Sequence, residues 1–128
     1  MSYNLSVEKK STYLHITVRG TNNRDNVVKY LSEVQEHCLK NNSPNVLIEE
    51  NLEGPGLSTF TMYDIITEAS KRLHPDIFHI AYVDVNPEHN MTDLQFAENV
   101  AVNRSVNVKI FPSVAEAEHW LKTITGRK

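Results

Sequence analysis

A chain of 128 residues, 40% hydrophobic and 23% charged, makes one ordinary globular domain, long enough to bury a core and too short for two. The formal net charge of -3 and a pI of about 6.0 exclude the concentrated basic surface that nucleic acid requires, and Lys9-Lys10 and Lys71-Arg72 are no more than pairs. Cys38 is the single cysteine, so no intrachain disulfide forms, and no apolar run approaches the roughly 20 residues of a transmembrane segment. The opening Met1-Ser2-Tyr3-Asn4 lacks the apolar core of a signal peptide, which makes the cytoplasm the expected location.

Tyr3, Leu5 and Val7 alternate with polar residues, and after Lys9-Lys10-Ser11 the alternation resumes at Leu14, Ile16 and Val18, predicting an antiparallel hairpin. Gly20-Thr21-Asn22-Asn23 breaks it, with Asn22 or Asn23 placed to cap a helix over 24–41 whose inward stripe is Val27, Leu31, Val34 and Cys38, widened by Tyr30 and Leu39. Val46 to Ile48 is continuously apolar, which predicts a central strand buried on both faces. It ends in Glu49-Glu50 and passes through a loop containing Gly54-Pro55-Gly56. A helix follows with Met62, Ile65, Ile66, Ala69 and Leu73 inward.

His74-Pro75-Asp76 ends that helix, and Ile77 to Val85 is a second apolar strand. Thr92-Asp93-Leu94-Gln95 after the polar loop 86–90 has the capping-box pattern and introduces a third helix bearing Leu94, Ala97, Val100 and Ala101. Val106, Val108 and Ile110 alternate as an edge strand. Ser113-Val114-Ala115-Glu116 then opens a last helix with Val114, Ala117, Trp120, Leu121 and Ile124 inward and Gly126 as its stop. Strands that alternate with helices pair in parallel through right-handed crossovers. The expected fold is therefore α/β: a five-stranded mixed sheet, an N-terminal antiparallel hairpin plus parallel β-α units, with four helices in a single domain over 1–128.

The closing unit Val108-Lys109-Ile110-Phe111-Pro112-Ser113-Val114-Ala115-Glu116-Ala117-Glu118-His119-Trp120-Leu121 resembles the last strand and helix of SpoIIAA-like proteins, relatives of the STAS domain of sulphate transporters and anti-sigma-factor antagonists. The order of elements matches over nearly the whole chain. The resemblance implies a mixed sheet with strands in sequential order and helices mainly on one face. It also implies a binding or regulatory role, since some members act by protein contact and others are thought to bind lipid or other hydrophobic ligands. The regulatory branch carries an Asp-Ser-Ser-Gly signature whose serine is phosphorylated. Here that region reads Glu53-Gly54-Pro55-Gly56-Leu57-Ser58-Thr59, without the signature, and Ser58 is the candidate phosphoacceptor by position.

No catalytic signature appears. Glu49 and Glu50 stand where a parallel strand ends, the side of an open sheet on which ligands bind, yet neighbours in a strand point to opposite faces. The Gly54-Pro55-Gly56 loop lacks the lysine and glycine spacing of a P-loop, and Ser58 or Thr61 suits a helix cap. His15, His37, His74, His79, His89 and His119 are scattered without metal-ligand spacing, so neither metal nor cofactor is expected. The candidate binding residues are Glu50, Leu52, Gly54, Gly56, Ser58, Thr59 and Tyr63, with Asn86, His89 and Asn90 from the neighbouring loop.

Three functions are open at this stage: a non-enzymatic STAS-like module contacting a protein partner or itself as a homodimer; a carrier or sensor of a lipid or other small hydrophobic ligand; and, weakest, an enzyme using Glu49 or Glu50 with a loop histidine. With helices on one face, the other face of the central strands would expose apolar residues from the set Leu47, Phe78, Ile80 and Tyr82. That face then takes a helix, a second subunit or an apolar ligand.

Overall fold

The structure, a computed structural model, describes residues 3–77 and 79–125. The expectations for Phe78 and for Gly126 as a helix stop lie outside the described residues. The elements are β1 (Tyr3–Lys9), β2 (Leu14–Thr21), α1 (Arg24–Lys40), β3 (Asn45–Glu53), α2 (Thr59–Arg72), β4 (His79–Asp84), α3 (Met91–Asn103), β5 (Val108–Phe111) and α4 (Val114–Thr125). They form one five-stranded sheet in the order β1-β2-β3-β4-β5. The β1–β2 hairpin is antiparallel, and every other pair is parallel.

Three successive crossovers, through α1, α2 and α3, each step one strand in the same direction. A right-handed crossover fixes the face, so all three helices must lie on the same side of the sheet. On that side Leu14, Ile16, Val18, Val46, Ile48 and Leu52 pack with Val27, Tyr30, Val34 and Cys38 of α1 and Ile65 of α2. Helix α4 follows the last strand and is free of the crossover constraint. It folds back under the opposite face, where Ala117, Leu121 and Trp120 cover Leu47, Ala81, Val83 and Phe111. Of the residues expected to be left bare, Leu47 is thus covered by a helix, while Ile80 and Tyr82 face the three-helix side.

Two local expectations change. β3 does not stop at Glu50 but continues to Glu53, because β2 offers a partner throughout, pairing Gly20 with Leu52 and Thr21 with Glu53. Backbone pairing with an adjacent strand here outweighs the weak strand preference of Glu and Asn. The third helix begins before Thr92: Asn90 is its N-cap, its side chain accepting from the Thr92 amide at 2.6 Å. Of the two candidates for the first cap, Asn23 serves, accepting from the Asn26 amide at 2.8 Å.

Helix α2 is the loosest of the four. It packs on α1 and α3, and Ile65 is its one buried residue. Ser58 caps it, accepting from the Thr61 amide at 3.1 Å. The salt bridge Arg24–Asp64 at 2.9 Å ties it to α1, and the Arg104 guanidinium, 4.7 Å from the Tyr63 ring centre, ties it to the end of α3. No helix among the described residues is long and apolar enough to cross a membrane.

Candidate functional site

Between α2 and the sheet lies a cavity of about 430 Å³, within the roughly 300–1,000 Å³ typical of small-molecule sites. Its walls are apolar: Val27, Leu31 and Val34 from α1, Met62, Ile66 and Ala69 from α2, Leu94 and Ala97 from α3, and Ile48, Ile80, Val108 and Ile110 from the sheet. The inward stripe that the periodicity of α2 predicts is real, yet Met62, Ile66 and Ala69 stay half-buried because they line this space instead of filling a core.

One end of the cavity is polar, and the strand register explains why. Side chains two apart on a strand share a face, so Ile48 and Glu50 on β3 point inward together, as do Ile80, Tyr82 and Asp84 on β4. Because Glu50 pairs with Asp84 across the parallel ladder, the two carboxyls arrive side by side. From α1, Tyr30 donates its hydroxyl to Glu50 Oε2 and lies 3.5 Å from the Tyr82 hydroxyl. Glu50 is only 3% exposed. Burial pushes its carboxyl up to about 7; the tyrosine hydroxyls pull against that rise, the Asp84 charge adds to it and the His89 charge opposes it.

His89 closes the group. The turn that delivers it hangs on Asp84 and Asn86: Asp84 Oδ1 accepts from the Asn86 amide at 3.0 Å, Asn86 Oδ1 accepts from the Glu88 amide at 2.8 Å, and Asn86 donates its side-chain amide to the Leu52 carbonyl at 2.7 Å. Nδ1 of His89 sits 2.5 Å from Asp84 Oδ2, and Nε2 donates to the Gly54 carbonyl at 2.9 Å. Both side chains of the Asp84–His89 pair are almost wholly buried. Burial alone would lower the imidazole pKa, but the hydrogen bonds to Asp84 and to the Gly54 carbonyl, with the charges of Asp84 and Glu50, raise it overall. Both ring nitrogens face oxygen acceptors, the arrangement of a charged imidazolium.

This geometry limits the chemistry. Glu50, Asp84 and His89 offer ligand atoms that all lie within 4.8 Å of one another, the crowding a cation would want. A ligating histidine must leave one nitrogen unprotonated and free, whereas Nδ1 of His89 is turned to Asp84 and Nε2 to the Gly54 carbonyl, so a metal would have to displace one of these contacts. For the same reason His89 presents no basic nitrogen to a molecule in the cavity. Glu49, the other carboxylate considered for acid-base work, faces away and pairs with His15 Nε2 at 2.8 Å on the α4 side of the sheet.

The ten candidate residues are brought together only in part. Glu50 and His89 meet at the polar end, with Asn90 beside them in the cavity wall. Gly54 and Gly56 form the loop over His89. Gly54 has φ +104, and a Cβ on Gly56 would stand 3.8 Å from the His89 ring. Asn86 serves the turn. Leu52 is a correction: it is fully buried in the core, on the extended part of β3, and offers no area to a partner. Ser58, Thr59 and Tyr63 stand exposed at the start of α2, outside the polar cluster. The sequence pattern does not single out Asp84, which lies inside the apolar strand Ile77 to Val85, and it places Tyr30 on the inward stripe of α1 and Tyr82 among exposed apolar residues without a role for either hydroxyl. A tyrosine on an inward helical stripe and an i, i+2 Tyr-Asp pair in an apolar strand were the available signals.

No protein-family model matches the chain, and no curated protein sequence does so significantly. Its fold does have a counterpart. The chain is similar to the crystal structure of an uncharacterised protein of the DUF3478 family, described as having a SpoIIAA-like fold, from Shewanella loihica PV-4. The TM-score is 0.50 with 14% sequence identity over 94% of each chain. At that identity the likeness speaks for architecture and not for activity, and it agrees with the element order and the mixed sheet described above. The chain has the SpoIIAA-like, STAS-type α/β fold.

Proposed function

We propose that this domain binds a small, largely apolar molecule between α2 and the sheet, without transforming it. The observation that carries this reading is the 430 Å³ cavity, mostly apolar in its walls and with the Glu50, Tyr82, Asp84 and His89 side chains gathered at one end. An apolar space with a few convergent polar groups is the usual form of a ligand site, the walls providing affinity and the polar end orientation. The self-satisfied Asp84–His89 pair favours binding over catalysis, since it holds no proton acceptor toward the cavity. Titration with the neutral fluorophore N-phenylnaphthylamine tests the reading. Fluorescence should rise saturably with the wild type and not with Ala97→Phe, which puts a ring into the cavity from α3; an equal rise with both proteins would overturn it.

A second reading, a module working through protein contact, is favoured by one observation. Phe60, at the start of α2, is 80% exposed, and Tyr63 and the Ser58 hydroxyl lie on the same short segment. Because α2 also roofs the cavity, a bound molecule and a protein partner would compete for the position of one helix. Phosphorylation of Ser58 would act on this same segment. Loss of self-association or partner binding in Phe60→Ser, with fluorophore binding kept, would support the contact reading; unchanged association would remove it.

A further inference from the structure

The charges around the cavity narrow the class of molecule it would take. Five carboxylates line it against two arginines and one histidine. The arginines do not reach the polar end as free cations: Arg24 is tied to Asp64 at 2.9 Å and Arg72 to Glu68 at 3.6 Å. His89 has both nitrogens committed, to Asp84 and to the Gly54 carbonyl. Among the described residues Glu50 has tyrosine hydroxyls near it and no ion pair of its own. Glu50 and Asp84 share the single His89 cation, so with Glu50 ionised the polar end carries one net negative charge, and an incoming cation gains a partner there while an incoming anion meets repulsion.

We infer that the cavity selects an apolar molecule bearing a basic amine, whose ammonium group pairs with the Glu50 carboxylate while its hydrocarbon part lies against the walls under α2. This inference rests on the ligand-binding reading above and specifies the head group. Seating the amine requires Glu50 to be ionised. The groups facing that carboxyl are Tyr30 from α1, Tyr82 and Asp84 from β4, and His89 from the turn before α3. Because burial raises the Glu50 carboxyl to about 7, part of the empty sites are protonated at neutral pH, and those release a proton as the ammonium arrives.

The test compares three eight-carbon probes that differ only in the head: octylamine, octanol and octanoate, titrated calorimetrically at neutral pH. Octylamine should bind at least about tenfold more tightly than octanol, and octanoate at least about tenfold more weakly, as expected for one favourable and one unfavourable buried charge contact. In Glu50→Gln, shown to be folded by its circular dichroism and cooperative urea unfolding, the preference for the amine over the alcohol should disappear. A measurement on the wild type alone adds independence: octylamine binding in two buffers of different ionisation enthalpy should reveal proton release, and octanol binding should not. Equal affinity for all three heads, tighter octanoate, or no proton release with the amine would overturn the inference and leave the cavity reading intact. Failure of all three probes to bind would overturn both.

Discussion

Replacing Glu50 by glutamine should flatten the pH dependence of stability, and the size of the effect follows from the environment of the carboxyl. In the folded protein burial moves it from 4.5 to about 7. A carboxyl whose folded pKa is raised favours the fold while protonated. Its contribution is complete below the unfolded value of 4.5 and is lost as pH rises through 7. At about 1.36 kcal/mol per pH unit the ceiling is near 3 kcal/mol, most of which should disappear between about pH 5 and about pH 8. His89 acts in the same direction, because its raised pKa also contributes stability that is lost with rising pH, and it is retained in the variant. Urea unfolding of wild type and Glu50→Gln at the two pH values, analysed by linear extrapolation, gives the comparison. The wild-type loss should exceed the variant's by about 2 kcal/mol. Equal losses, within about 0.5 kcal/mol, would refute the assignment of Glu50 as a buried, protonated group.

Other perturbations have equally definite outcomes. Asp84→Asn leaves the His89 cation buried without its carboxylate and should cost about 3 kcal/mol in urea unfolding, with Asp84→Asn/His89→Asn costing less than the sum of the single changes. Gly54→Ala forces a side chain into a φ of +104 and should lower stability by about 1–2 kcal/mol even though nothing stands within 4 Å to clash with it. Burial pushes the Cys38 thiol up to about 11, so it should stay unmodified by a thiol reagent near neutral pH until urea unfolds the chain. Rapid labelling of native protein would show that α1 does not seal its inner face.

Much of the architecture is written in periodicity. Tyr3, Leu5 and Val7 against Leu14, Ile16 and Val18 define the hairpin because alternation is a local property of each strand. The two apolar strands declare themselves central for the same reason. What periodicity omits is partner-dependent. Asn51, Leu52 and Glu53 look like loop, and they become strand only because β2 runs alongside. Leu47 looks uncovered until α4 turns beneath the sheet, a choice made by packing and not by the pattern of α4 itself.

The site was less legible than the fold. Glu50 and His89 could be chosen from their positions at strand end and loop. That Asp84 would bind His89, and that Tyr30 would reach Glu50, depends on register between β3 and β4 and on where α1 lands. Helical spacing places Tyr30 on the inward stripe but is silent about its hydroxyl. Nor does the apolar stripe of α2 distinguish a wall from a core, since Met62, Ile66 and Ala69 would read the same in either.

The sequential order of the strands has a consequence for how the chain is made. Each new strand beyond the hairpin is laid beside the one synthesised just before it, so the sheet grows by accretion and no strand waits for a partner encoded far downstream. The exception is α4. Until α4 emerges, Leu47, Ala81, Val83 and Phe111 present a bare apolar surface on the far side of an otherwise finished sheet. A nascent chain stalled before Ala117 and Leu121 would present that apolar surface to other chains, and α4 is what closes it.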